Sequence, residues 1–286
     1  MTERADMAPR VMMFSGHAMQ PPWVDIARNG MFQTWLRDPE PYGLQVRHIY
    51  GMTMPVGTRW LDRWHEWARW QVRGKHIVPA MDAMLSWPWR NALPGYCEQR
   101  DFLGTGHVAW HVHVPDSYFS LRWKMVGGYN ALLQECDFDL VCMATTSSYV
   151  NIAKLLDIVK DYPTTGVYTG SRILDVRSGY SFNSGASRMM SRDVLQLIVD
   201  NRSRYTSRHP EDLDLGRMLT DLGVQVQALP SVNIGNREEL DRLTDDDLDQ
   251  SHHFRLTSGS RRQRSDVSLM HALHERIERL NQQRRG

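Results

Sequence analysis

Cysteine is scarce. Cys97, Cys136 and Cys142 are the only three in 286 residues, an odd number at spacings that fit neither a disulfide framework nor a zinc motif. An excess of one charge is also missing. The 34 basic side chains are balanced by 33 acidic ones, which excludes bulk attraction to nucleic acid or anionic lipid but leaves room for a local patch. No stretch approaches the roughly 18 apolar residues of a membrane span. The opening MTERADMAPR has acids and a proline where a secretory signal would have an apolar run, so the expected setting is the reducing cytoplasm. The chain does have 41% hydrophobic residues, enough for a sizeable core and too many for disorder.

The pattern of apolar runs predicts an α/β fold. Residues 10–15 (RVMMFS) read as a buried strand that ends in Ser15-Gly16-His17, and residues 23–37 as a helix stopped by Pro39 and Pro41. Residues 44–50 read as the next strand. Strand, helix, strand is a βαβ opening. Further strands are expected at 108–114, 138–144, 166–170, 181–184 and 223–229. Helices are expected at 119–134, 150–160, 192–201 with Ser191 as N-cap, and 211–222 stopped by Gly223. Residues 145–148 form a polar turn. Residues 265–283 form an amphipathic helix whose face of Leu269, Leu273, Ile277 and Leu280 either docks on the body or pairs with a second copy as a homodimer.

Two aromatic features stand out. Residues 58–95 form a tryptophan-rich insertion in which Trp60, Trp64 and Trp67 share one helical face, either packing against the sheet or offering indole faces to an acceptor. His111 and His113 lie two apart on one strand face, but no third metal ligand is near them in sequence, so they read as surface or packing residues.

Six segments, taken in order over residues 10–255, resemble the β-1,3-galactosyltransferase/fringe-like glycosyltransferases. They are Arg28-x6-Trp35 preceded by Thr34, Asp116-Ser117-Tyr118-x-x-Leu121-x-x-Lys124, and Asp139-x-Val141 with Ser148-Tyr149-Val150-Asn151. Tyr180-x-x-x-Ser184-Gly185-Ala186 with Ser191-Arg192-Asp193, Glu211-Asp212-Leu213-x-Leu215-Gly216, and His252-His253-Phe254-Arg255 complete the set. The resemblance implies a GT-A-like, Rossmann-like mixed and mostly parallel sheet over residues 1–256, with residues 257–286 as linker and terminal helix. It also implies an inverting enzyme that moves sugar from a nucleotide-diphosphate donor to a hydroxyl on protein, glycan or a modified base.

The departures from that family bear on mechanism. Phe32 replaces an arginine of the first helix, and Thr145-Thr146-Ser147 replaces the acidic metal motif. Hard divalent cations need anionic oxygens, so no cofactor is expected and a Mn or Mg requirement is doubtful. The resemblance implies Asp212, in the family's base position beside Glu211 at a helix start, as the general base. Ser15, Gly16, Arg28, Thr145, Thr146, Ser147, Gly185 and Ala186 are the expected donor contacts. Lys124, Arg172, Arg188, His253 and Arg255 are candidates to meet the diphosphate.

Asp137-x-Asp139 precedes its strand and so falls at the wrong end for ligand. Thr244-Asp245-Asp246-Asp247 spells the missing motif, and would be either a displaced metal site with His252 and His253 or a capped helix start. Two alternatives stand beside transfer to glycan or protein. One is an inactive glycan- or nucleotide-binding module. The other is a transferase for modified nucleic-acid bases, using Arg261, Arg262 and Arg264 with the tryptophans.

Overall fold

A computed structural model describes residues 8–53, 87–117, 120–205, 209–256 and 264–285. Residues 54–86, which hold Trp60, Trp64 and Trp67 and most of the expected insertion, lie outside the described residues. The chain opens with β1 (Val11–His17), α1 (Trp23–Asn29) and β2 (Gln45–Met52), followed by α2 (Trp87–Asn91), β3 (Tyr96–Gln99) and β4 (Val108–Pro115). Then come α3 (Leu121–Glu135), β5 (Leu140–Thr145), β6 (Ser148–Val150), α4 (Ile152–Val159), β7 (Tyr168–Leu174) and β8 (Ser181–Ser191). The remainder is α5 (Arg192–Asp200), α6 (Glu211–Asp221), β9 (Gln227–Ala228), β10 (Ser231–Ile234), α7 (Arg237–Arg242), α8 (Asp245–Gln250), β11 (His253–Leu256) and α9 (Asp266–Arg285).

Eight strands form one mixed, mostly parallel sheet in the order β3-β4-β2-β1-β5-β8-β7-β9, and β10-β11-β6 form a second, small sheet. Strands β4, β2, β1 and β5 run parallel, while β3, β8 and β7 pair antiparallel at the flanks. The α/β expectation holds. Alternation along β1 shows how the sheet is covered on both sides. Val11 and Met13 enter one apolar layer with α1, α4 and α9, and Met12 and Phe14 enter the other with α3, α5 and α6.

Several boundaries differ from expectation for local reasons. The first helix ends at Asn29, eight residues early. The Gly30 N–H closes on Ile26 O at 2.9 Å, and a Cβ at Gly30 would lie 2.8 Å from that oxygen and 3.2 Å from Met270 Sδ. The chain then continues as a 3-10 turn, Met31–Gln33. The expected polar turn at 145–148 is shorter, because the Asn151 side chain caps α4 by accepting from the Lys154 N–H, and the three residues before it pair with β11 as β6. Ser191 does not cap α5. Its hydroxyl accepts the Val167 N–H at 2.9 Å. Strand β8 runs seven residues further than 181–184 because it is paired on both sides, and β9 shrinks to two exposed residues.

Of the two fates open to the terminal helix, the structure shows docking on the chain's own body. Leu269, Leu273 and Ile277 are buried with Met270, and Arg276 donates to Leu240 O and Leu243 O, both at 2.7 Å. Each such apolar side chain contributes about 1.5–3 kcal/mol on burial, so this stripe is spent inside the molecule. No described helix is long and apolar enough to cross a membrane.

Among the described residues, four imidazoles are buried. His17 and His48 sit among Phe32 and Phe102 with His107 beside them, and His252 and His253 open β11. Burial pushes His17 down to about 3 and His252 down to about 4, and holds His48 and His253 well below the ordinary imidazole range. In the unfolded chain these groups bind protons from about pH 6.5 downward, while the folded chain does not, so stability falls with pH. The expected slope between pH 6 and pH 5 is roughly 1.4 kcal/mol per unit for each such histidine, read from urea unfolding at a series of pH values. His252→Gln should flatten the slope, and a flat profile in the parent protein would contradict the burial.

Candidate active site

The sheet order creates a switch point. From β1 the chain builds outward through β2 and β4, then returns to lay β5 on the other side of β1, and it is at the carboxyl ends of two such strands that open α/β sheets place their ligand crevice. Gly16 lies opposite Thr145 there, and Ser15 opposite Ala144. Because β8 is antiparallel to β5, with Ala144 opposite Ser187, Ser184-Gly185-Ala186 comes to the same end, as part of strand β8 rather than as the turn the resemblance implies. Helix α6 starts beside it, and Asp212 Oδ2 accepts the Gly185 N–H at 3.2 Å. Gly16, Thr145, Gly185 and Asp212 are all half-buried positions at this end of the sheet.

Gly216 explains how α6 reaches this place. A Cβ there would lie 2.4 Å from Phe182 Cβ and 2.9 Å from Phe182 Cα, so only a glycine lets the helix lie flat on β8. The nearest atoms to a Cβ at Gly185 would be those of Asp212 and Glu211, at 3.8 Å, so the glycine there relieves no clash.

The two acids of α6 have opposite surroundings. Glu211 is caged: Arg188 Nη2 and Nη1 donate to it at 2.7 and 3.2 Å, and Tyr205 Oη donates at 3.0 Å. Tyr129 Oη in turn accepts from Arg188 at 2.9 Å, and Arg188 is 1% exposed at its side chain. The expectation that Glu211 shares in catalysis and that Arg188 meets a diphosphate gives way to a buried brace between β8 and α6. Asp212 keeps partial exposure. Burial first, and the charge of Glu211 second, push its carboxyl above the ordinary range.

Other expected donor contacts are also committed internally. Lys124 donates to Asp116 Oδ1 at 2.7 Å and to His17 O at 2.8 Å, and Asp116 Oδ2 accepts the Met19 N–H at 2.8 Å, so the pair braces the loop after β1. Ser15 is buried with its hydroxyl on Ala144 O. His17 turns inward, its Nε2 2.9 Å from His48 Nδ1, and His48 Nε2 is 3.0 Å from His107 Nδ1. His253 is buried between Ser231 Oγ at 2.7 Å and Ser148 Oγ at 3.0 Å, so neither ring nitrogen faces the crevice. Ala186 is buried and gives its carbonyl to Ser148. Arg28 is exposed in the last turn of α1, and exposed Arg172 donates to Ser181.

The turn that replaces the acidic motif does not fit a divalent ion. Thr145 Oγ1 lies 3.1 Å from Ser148 Oγ, Thr146 is buried, and Ser147 Oγ accepts from Arg264 at 3.1 Å. These are neutral oxygens beside a cation, the reverse of what such an ion requires. Arg264 was not among the expected donor contacts, because the linker before it hides its register. It is folded inward, pairing with Asp266 and stacking over Trp23 at 4.7 Å; Arg261 and Arg262 lie outside the described residues. Arg255 is exposed on β11 opposite Ser148.

The displaced metal site does not assemble. Thr244 and Asp247 form a capping box, Asp246 accepts from Gln250, and His252 and His253 are buried away from them. Asp137 and Asp139 bind Arg10 at the amino end of β5, as their position predicts.

No protein-family model and no curated relative matches the chain. Among solved structures, it is similar to a glycosyltransferase involved in glycosylation of the PBCV-1 major capsid (8% identity, TM-score 0.44, 92% of this chain and 100% of that one). It is also similar to the galactosyltransferase LgtC, solved with donor and acceptor sugar analogues (10%, 0.45, 94% and 95%), and to mouse xyloside xylosyltransferase 1 (10%, 0.40, 86% and 97%). At these values the likeness carries no functional argument.

The cage around Glu211 yields a direct expectation. Arg188→Met strands a buried carboxylate and should cost about 3–5 kcal/mol in urea unfolding, and adding Glu211→Gln should recover much of it. Equal losses in the single and double variants would show that the pair is not coupled.

Proposed function

We propose that the chain is an inverting glycosyltransferase with a GT-A-like fold, acting on a nucleotide-diphosphate sugar and a hydroxyl acceptor. The observation that carries the proposal is the set of positions at the switch point, where a half-exposed carboxylate with a raised pKa stands at the end of the sheet where open α/β sheets bind nucleotides. The acceptor oxygen attacks the anomeric carbon as the bond to the diphosphate oxygen breaks, and the acceptor proton passes to Asp212. Burial and the charge of Glu211 raise the Asp212 pKa, which makes its carboxylate a better base. A single displacement is favoured because Glu211, caged by Arg188 and Tyr205, is not offered as a nucleophile.

Charge on the departing diphosphate falls to Arg255, exposed one strand from the Thr145–Ser148 turn, in place of a metal ion. The mechanism so read is metal-independent. Nucleotide-sugar hydrolysis and transfer, screened with and without EDTA, test it. Turnover should persist in chelator, Asp212→Asn should lower it about 10²- to 10⁴-fold with donor affinity retained, and Arg255→Ala should weaken donor binding. Normal turnover in Asp212→Asn would remove the base assignment, and donor binding without any turnover would make the chain a recognition module instead.

A further inference from the structure

His111 and His113 acquire in three dimensions the partner they lack in sequence. Strand β3 pairs antiparallel with β4 at the sheet edge and sets Cys97 directly opposite His111. Cys97 Sγ lies 3.9 Å from His111 Nδ1, and one ligand atom from each of Cys97, His111 and His113 falls within 4.8 Å of the others. Among the described residues this is the only such group of three or more potential metal ligands. Zn–S near 2.3 Å and Zn–N near 2.0–2.1 Å at tetrahedral angles put ligand atoms about 3.3–3.6 Å apart, so small side-chain rotations close the set.

The surroundings hold two of the three ligands in place. The Tyr50 ring stacks on His111 at 4.8 Å and 10°. The His113 backbone N–H donates to Gly95 O at 2.8 Å, and a Cβ at Gly95 would sit 2.9 Å from His113 Nδ1, so the imidazole lies against bare backbone. All three residues are reached from solvent, so an ion has a path in.

From this geometry we infer that Cys97, His111 and His113 form a binding site for zinc or a similar thiolate- and imidazole-preferring transition ion. One thiolate and two imidazoles select such ions over magnesium or calcium. On binding, the Cys97 thiol gives up its proton to solvent and three protein ligands hold the ion, with a fourth position left to water or an exogenous donor. The ion would tie edge strand β3 to β4. This inference does not depend on sugar transfer. The site lies away from the Thr145–Ser147 turn, so chelator would empty it without touching the proposed transfer chemistry.

The purified chain, stripped with chelator and reloaded, tests the site. One zinc per chain should be retained, and cobalt in its place should give a thiolate-to-metal charge-transfer band. Losing a group that merely orients a ligand costs roughly 10–100-fold in affinity, so Cys97→Ser, His111→Ala and His113→Ala should each weaken zinc by about 100-fold or more. Gly95→Ala should weaken it less, by pushing His113 aside. The metal-free unfolding midpoint of Cys97→Ser should match the parent, since its side chain is exposed, and this separates lost ligation from lost folding. Retention of zinc by Cys97→Ser and His113→Ala at parental affinity, or absence of a charge-transfer band with cobalt, would overturn the assignment.

Discussion

The buried pair of Arg188 and Glu211 organises the rim of this molecule. A guanidinium in the middle of β8 and a carboxylate at the first position of α6 meet away from water, with Tyr129 and Tyr205 completing their hydrogen bonds. A pair this deeply buried adds little net stability over an apolar substitute, but breaking one half is severe. It therefore acts mainly to fix position. It sets the start of α6 against β8, Gly216 allows the close approach, and the next side chain, Asp212, is held at the Gly185 backbone.

The polar side chains near the crevice divide into two groups. Lys124, Ser15, His17, His253 and Arg188 are folded into brace contacts that shape the loops around the carboxyl ends of β1 and β5. Asp212, Arg255, Thr145 and Gly16 retain access to solvent. The first group gives the second its rigidity, since a group that must meet developing charge works best when it need not reorganise. The hydroxyl turn and Arg264 follow the same logic: the acids are gone and a cation stands against their replacement.

Much of the architecture could be read from residue order. The central strands, α6 and the terminal helix follow from apolar periodicity and from Gly223, and the placement of Asp137 and Asp139 follows from chain direction alone. What stayed hidden depends on contacts distant in sequence. Nothing local distinguishes Arg188, fully buried, from Arg255, exposed, because each is an arginine followed by an apolar residue within a strand; only the elements packed on each decide. Gly30 ends a helix whose apolar pattern continues, since the reason lies in Met270 of α9. Cys97 and His111 are 14 residues apart, and their meeting required knowing that residues 96–99 form an edge strand in a particular register.

The docking of α9 has a consequence for how the molecule is made. The layer with α3, α5 and α6 is assembled from residues between Met12 and Leu219, whereas the opposite layer takes Leu269, Met270, Leu273 and Ile277 among its buried members. During synthesis, one side of the sheet can close while the other still lacks its last helix. A nascent chain halted before residue 269 would therefore carry an uncovered apolar surface around α1 and β11, the kind of surface that chaperones hold until the rest of the polypeptide emerges.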